Sequence, residues 1–168
     1  MSKEFIIQVS SFQDKIFRFA LKMLNNNKDE AQDVVQDLLE KLWKMRNSLN
    51  RYKNLEALSI KMTKNLCLDR LKHEKIKIQK AHEIADTIDL LSDTNNYDET
   101  NLSEIIKLSI NELPEKQRLI IHLRDVEGIE LSEIADIMEI DINAVRMNLS
   151  RGRTTIKEKL IKTMNYGL

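Results

Sequence analysis

The chain has 168 residues, with 27 Lys and Arg balanced by 27 Asp and Glu, which fits one ordinary domain or two small ones. Three Gly and one Pro are too few for a fold built on tight turns, so we expect an all-α protein. Because the longest charge-free stretch is residues 5–13, we expect no membrane insertion, no secretory leader and a cytoplasmic location. One Cys and three scattered His predict no metal site, and nothing indicates a cofactor.

The charge is unevenly distributed along the chain. Residues 1–40 carry a net charge of −2, residues 41–75 carry +7, residues 76–101 carry −4, residues 102–141 carry −6 and residues 142–168 carry +5. Clustered Lys and Arg attract phosphate and release counterions, so each basic block is a candidate nucleic-acid surface. Either block taken alone is also compatible with an ordinary solvated helix face.

Three amphipathic helices are predicted in the first 75 residues. Apolar side chains recur every three or four residues from Phe5 to Leu24, from about Asp29 to Met45, and from about Leu55 to Lys75. The three consecutive Asn at 25–27 predict a stop after the first helix, and residues 46–54 are polar without an apolar period. These helices define a predicted first domain, residues 1–78.

An acidic segment rich in Asp, Asn and Thr follows and has no sustained helical period. We therefore predict a linker over residues 79–101 and a second domain over residues 102–168. In that domain, Pro114 favours the start of a helix that ends at Gly128.

A helix-turn-helix pattern is the sharpest signal in the second domain. Leu131–Met138 predicts a short helix, residues 139–141 a turn, and Ile142 the start of a longer helix that Asp141 can cap. Polar and basic residues on the outer face of that longer helix suit a DNA major groove. A surface helix of a plain helical bundle is the alternative.

The order of these segments resembles the extracytoplasmic-function (ECF) sigma factors of bacterial RNA polymerase, which keep the second and fourth conserved regions. The resemblance covers roughly residues 5–75 and 102–162. It is carried by Asp29 to Trp43, Thr63 to Leu71, Leu113 to Arg118, Glu127 to Ala135 with its Gly128, and Val145 to Arg153. It implies a non-catalytic protein that binds core RNA polymerase, recognises and melts promoter DNA, and is held by an anti-sigma factor.

The resemblance also implies roles for individual residues. Asp33, Gln36, Asp37 and Glu40 would face the clamp helices of the polymerase β′ subunit, and the fourth region would meet the β flap. Judged by its charge alone, this acidic helix face would be interpreted as an ordinary solvated surface.

The first basic block corresponds to the region that grips and opens the minus-ten element, where a non-template base is extruded into a pocket. The matching positions are Arg51, Tyr52, Lys53, Lys61, Lys64, Asn65 and Arg70. Leu49 and Leu58 depart from the pattern, since Phe and Trp are common at those positions. Tyr52 as a packing residue and Asn65 as a local cap are the structural alternatives.

The recognition helix supplies the minus-thirty-five contacts implied by the resemblance: Asn143, Arg146, Met147, Ser150, Arg151 and Arg153. Two further departures stand in this motif. Glu130 replaces the small hydroxyl residue that usually caps its first helix, with Ser132 as a possible substitute, and Glu139 occupies a turn position where Gly is common. We expect Glu139 to be tolerated if its φ is negative.

Two other classes of protein compete with this interpretation. A stand-alone helix-turn-helix regulator explains residues 131–160 but leaves the basic block at 46–75 without a role. A small helical enzyme is a poorer fit, because the sequence carries no acid pair, nucleophile with base, phosphate loop or metal cluster.

Overall fold

The computed structural model describes residues 3–82 and 102–166, with side chains described over 5–78 and 102–165. Within these ranges every regular element is helical, which confirms the predicted all-α class. The α-helices are α1 (Lys3–Ser10), α2 (Gln13–Met23), α3 (Lys28–Lys44), α4 (Leu55–His82), α5 (Leu102–Asn111), α6 (Glu115–Ile121), α7 (Leu131–Met138) and α8 (Ile142–Tyr166).

The helix predicted from Phe5 to Leu24 is in fact two helices, α1 and α2. The hydroxyls of Ser10 and Ser11 donate to the carbonyls of Ile7 and Gln8, at 2.9 and 2.7 Å. Such local side-chain bonds compete with helix continuation. The chain bends here and buries Phe12 at 3% exposure, so one apolar stripe serves two helices that pack against each other.

The predicted stop at the three Asn is confirmed. Asn25 and Asn26 adopt left-handed φ values of 52° and 63°, which Asn tolerates better than most residues. Asn27 then caps α3, because its side-chain oxygen accepts a hydrogen bond from the Glu30 amide at 3.2 Å.

The stretch predicted to be irregular before α4 contains a 3₁₀ helix, Arg46–Arg51, anchored by the buried Leu49. Asn54 accepts from the Ala57 amide at 3.1 Å and so caps α4. Helix α4 continues to His82, past the predicted end at Lys75. The remainder of the predicted linker, residues 83–101, lies outside the described residues.

The predicted helix-turn-helix is confirmed as α7, a turn at residues 139–141, and α8. Asp141 accepts from the Asn143 amide at 2.7 Å, as expected of a cap. The apolar set that locks the two helices is buried: Ile134, Ile137, Val145 and Leu149.

Two glycines explain the local geometry of this domain. Gly128 has a φ of 72° and ends a single π-helical turn, His122–Val126, that extends α6. Gly152 lies on α8 where a Cβ atom would stand 2.5 Å from the Ile121 Cδ1 atom. Its missing side chain therefore permits the close approach of α6 and α8.

The two helical units share one apolar cluster. Phe19, Ile60 and Cys67 of the first unit belong to the same buried group as Leu123 and Ile134 of the second. Burial raises the pKa of the Cys67 thiol to about 12, which keeps it protonated, as in a small core residue. Burying each large apolar side chain contributes about 1.5–3 kcal/mol, so this shared cluster holds the units together.

An ion pair between a half-exposed arginine and a buried carboxylate crosses the same contact. Both Arg18 nitrogens that face Glu127 donate to its carboxylate at 2.7 Å, and the Glu127 side chain is only 1% exposed. His122 Nε2 lies 3.2 Å from the same carboxylate. Burial lowers the pKa of His122 to about 4, so the imidazole is neutral near pH 7 and Arg18 supplies the positive charge.

The variant Arg18→Ala leaves the buried Glu127 carboxylate without its charged partner. We expect a loss of about 1.5–3 kcal/mol in the free energy of unfolding, measured by urea denaturation. The control Lys44→Ala removes an exposed pair with Glu40 and should cost about 0.5 kcal/mol or less. Equal small losses in both variants would show that the buried pair does not stabilise the fold.

Candidate polymerase and nucleic-acid interfaces

The four residues predicted to contact polymerase lie on one side of α3. Asp33, Gln36 and Glu40 are exposed and Asp37 is half-buried. Their spacing of three and four residues places them on neighbouring turns of a single helix face. Gln36 and Glu40 also border an apolar groove with Phe5, Leu39 and Trp43. The predicted surface is thus polar beside an apolar cleft.

Arg70 of α4 joins this acidic face. Its guanidinium donates to Glu30 at 2.6 Å and to Asp37 at 2.7 Å, and it lies 3.7 Å from Asp33. A residue predicted to bind DNA is therefore bonded to a residue predicted to bind polymerase. This arrangement ties α3 to α4 and leaves Gln36 as the residue of the set least involved in the fold.

Apart from Arg70, the predicted minus-ten residues fall into an exposed and a covered group. Arg51, Tyr52 and Lys53 are exposed just before α4, with Tyr52 at 44% exposure, and Asn65 is exposed on α4 itself. Exposure leaves Tyr52 available for stacking on a base, rather than packed in the core.

Lys61 and Lys64 form the covered group, because α7 of the second unit packs against α4. Lys64 Nζ donates to the Glu139 carboxylate at 2.9 Å, and Lys61 Nζ lies 3.9 Å from it. The hydrogen bond from Lys64 lowers the pKa of Glu139, which keeps the carboxylate charged. Both lysines, which are neighbours on one face of α4, therefore face the same acid of the other unit.

The predicted minus-thirty-five residues all lie exposed on α8, while Val145 and Leu149 of the same helix are buried. Three of the six, Asn143, Arg146 and Arg153, have internal side-chain partners. Arg146 donates to the side-chain oxygen of Asn143 at 3.0 Å, and Arg153 Nε donates to Asp125 at 3.1 Å. The outer face of the second helix of the motif is therefore free for a groove.

The structure shows how the chain accommodates Glu130 and Glu139, the two departures from the family pattern in this motif. The Glu130 amide donates to the Glu133 carboxylate at 3.4 Å, so Glu133 rather than Ser132 assists the start of α7. Glu139 has a φ of 56°, so the condition under which we expected an acidic residue to be tolerated here, a negative φ, is not met. This left-handed residue ends α7, and its amide bonds back to the Ala135 carbonyl.

Several residues at these surfaces were missed by the sequence reasoning. Glu30, Glu127, Glu133 and Glu139 each bind a basic or amide side chain of the first unit. Of these pairs, Glu139 with Lys64 is the ion pair that joins the oppositely charged stretches 102–141 and 41–75, and that charge asymmetry is the sequence signal that could have found it.

Two family models match the chain. The model of sigma-70 region 2 matches residues 8–76, and the model of sigma-70 region 4 matches residues 103–156. Together they cover both helical units, in the order expected from the sequence.

Several characterised proteins are similar to the chain over most of its length. It is 25% identical to the ECF RNA polymerase sigma factor SigW of Bacillus subtilis, covering 90% of this chain and 86% of that protein. It is 27% identical to the RNA polymerase sigma factor SigV of the same organism, covering 92% and 89%.

The fold has a solved counterpart in the sigma factor RpoE of Bartonella quintana, determined in complex with the anti-sigma factor NepR. The TM-score is 0.74 at 23% identity, covering 95% of this chain and 98% of that one.

The chain belongs to the sigma-70 family and carries its regions 2 and 4. Within that family it is an ECF sigma factor, a protein that directs promoter-specific transcription initiation. The stand-alone regulator is not favoured, because it gives no account of the region 2 match. Among the described residues no helix is long and apolar enough to span a membrane.

Proposed function

We propose that this sigma factor binds core RNA polymerase through α3, reads the minus-thirty-five element with α8, and holds the melted minus-ten strand with the residues around the start of α4. It carries out no reaction of its own. We further propose that its working units are residues 1–78 and 102–168, joined by an acidic linker over residues 79–101.

The best support for these separate roles is that the apolar and the polar residues of α8 lie on opposite faces of the helix. Its apolar residues are buried in the helix-turn-helix core, whereas Asn143, Arg146, Met147, Ser150 and Arg151 are exposed together. Arg can donate two hydrogen bonds to a guanine edge, and Met147 offers apolar contact to a thymine methyl group. This face therefore suits the readout of a specific duplex sequence.

Polymerase binding is proposed to centre on Gln36 and Glu40. An exposed acidic and amide face complements a basic helical surface and sets the register of docking. The neighbouring groove beside Trp43 and Phe5, whose ring centroids are 5.4 Å apart, offers apolar area to the same partner. We assign this face to the β′ clamp helices and region 4 to the β flap.

An anti-sigma factor is proposed as a further partner. Support comes from the solved counterpart, whose title describes a sigma factor in complex with an anti-sigma factor. Such a partner would compete for the surfaces that the polymerase needs.

The variant Gln36→Lys places a cation on the proposed clamp-binding face without touching the Arg70 network. We expect affinity for core polymerase to fall roughly tenfold or more, because like charges are brought together at the interface. A pull-down with purified core enzyme measures it, with the exposed α1 change Gln8→Lys as the matched control. Equal binding by both variants would remove α3 from the interface.

Asn65→Ala removes an exposed amide at the proposed position of the extruded base. We expect duplex binding to persist and promoter opening to fall roughly threefold to tenfold, the loss of one or two hydrogen bonds. Permanganate reactivity of the melted thymines reports opening, and Asn165→Ala at the exposed end of α8 is the control. Undiminished reactivity would refute a role for Asn65 in melting.

Arg146→Ala should cost about 1–3 kcal/mol of promoter affinity and relax readout at one minus-thirty-five position, if its guanidinium bonds a base edge. Binding to a set of single-base promoter variants measures this, with the exposed Lys162→Ala on α8 as control. A uniform loss across all sequences would instead identify a phosphate contact.

A further inference from the structure

A cleft with a volume of about 250 Å³ lies between α2 and the second helical unit. Its lining includes none of the residues assigned to polymerase or DNA. The apolar part of its wall consists of Leu21 from α2, Ile110 from α5 and Val126 from the π-helical turn. Val126 is 55% exposed, so the cleft opens to solvent. A concave apolar space of this size suits a small molecule.

Three cations border the same cleft: Arg18 and Lys22 of α2, and Lys107 of α5. The charge of Arg18 is matched by Glu127, but no carboxylate of the described residues forms an ion pair with Lys22 or Lys107. The Lys22 ammonium group donates to the side-chain oxygen of Asn111 at 3.4 Å, which is a long bond to a neutral acceptor. Two ammonium groups therefore stand at the cleft with their charges unmatched.

These cations repel one another. Burial lowers the pKa of Lys22, and the positive charges of Arg118 and Lys107 lower it further. Like charges gathered beside an apolar wall cost free energy, and a bound anion removes that cost. The cleft is therefore complementary to an anion that also has an apolar part.

A buried polar group also lines the cleft. The His122 side chain is only 5% exposed, and its Nε2 atom lies 3.2 Å from the Glu127 carboxylate. The two groups are not aligned for a hydrogen bond, so Nε2 has no hydrogen-bond partner in the described part of the chain. The Nε atom of Arg118, the neighbour of Lys22, is buried and unpaired in the same way. Such atoms are uncommon, and a bound water, ion or ligand is one of the features that accounts for them.

We propose that this cleft binds a small amphipathic anion, a carboxylate with a short aliphatic chain. The aliphatic chain lies against Leu21, Ile110 and Val126, and the carboxylate accepts hydrogen bonds from Lys22 and Lys107. Because α2 and α5 belong to different helical units, the bound anion touches both. The inference does not depend on the proposed contacts with polymerase or promoter DNA.

The test is a titration of the full chain with octanoate by isothermal titration calorimetry. Octanol keeps the aliphatic chain without the charge, and acetate keeps the charge without the aliphatic chain. We expect octanoate to bind one per protein chain, roughly tenfold or more tightly than either comparison compound. Octanoate should also raise the melting temperature in a concentration-dependent way, because it binds the folded protein.

Nuclear magnetic resonance locates the bound octanoate. The imidazole signals of His122 should shift as octanoate is added, because His122 lines the cleft. The signals of His73, which is exposed on α4, should stay where they are. Acetate at the same concentration controls for a general effect of the added salt.

Two variants each remove one proposed partner of the carboxylate, Lys22→Gln and Lys107→Gln. We expect each to weaken octanoate binding roughly threefold to tenfold. The matched control, Lys41→Gln at an exposed position of α3, should bind octanoate unchanged. Without octanoate, Lys22→Gln should keep or raise the melting temperature, because it relieves repulsion with Arg118 and Lys107. That measurement separates a loss of binding from a loss of fold.

Three results would overturn the inference. The first is that octanoate does not bind. The second is that octanol binds as tightly as octanoate, which would show that the cations do not select an anion. The third is that octanoate binds both lysine variants unchanged and leaves the His122 signals in place, which would locate it elsewhere. None of these results bears on polymerase or promoter binding, which the Gln36 and Arg146 variants test separately.

Discussion

The carboxylate of Glu127, buried between the two helical regions and held by Arg18, is the interaction on which the arrangement of the molecule depends. A charged group at 1% exposure is stable only with a matched partner, and that partner lies in the other region. The pair therefore fixes how region 4 sits on region 2, and the apolar cluster around Phe19, Ile60 and Leu123 fills the same contact.

One consequence is that single residues serve two purposes. Asp37 belongs to the proposed polymerase face and at the same time fixes Arg70, which belongs to the proposed minus-ten set. An ion pair between α3 and α4 thus joins the two proposed surfaces. A second consequence is that Lys64 is buried by region 4, whereas Arg146 and Met147 remain exposed. The packing therefore covers part of one proposed DNA surface and leaves the other exposed.

Much of the fold was predictable because its signals are local. Apolar spacing located the helices, three Asn located the first stop, and Asp141 with its neighbours located the helix-turn-helix. The break at Phe12 was missed, because a bend that keeps both apolar faces inward leaves the period nearly intact. The extension of α4 to His82 was missed for a related reason, since Ile76 and Ile78 in its last turns are two positions apart and do not continue the helical apolar period.

The contacts between the regions were not predictable from the sequence. Nothing near Glu127 indicates Arg18, which is 109 positions away, and nothing near Glu139 indicates Lys64, which is 75 positions away. The positive φ of Glu139 was not predicted from the sequence, because local preference alone favours a negative φ. Tertiary ion pairing changes that balance. The proposed roles at α3, α4 and α8 came from the resemblance and remain proposals, although the structure shows which of those side chains are exposed.

The most direct test of the central claim is run-off transcription with purified core RNA polymerase on DNA from upstream of this protein's own gene. If the protein is a sigma factor, a discrete transcript should appear only when the protein is added, and it should initiate at one fixed position. No transcript from any upstream region, together with no binding to core polymerase, would contradict the assignment as a sigma factor.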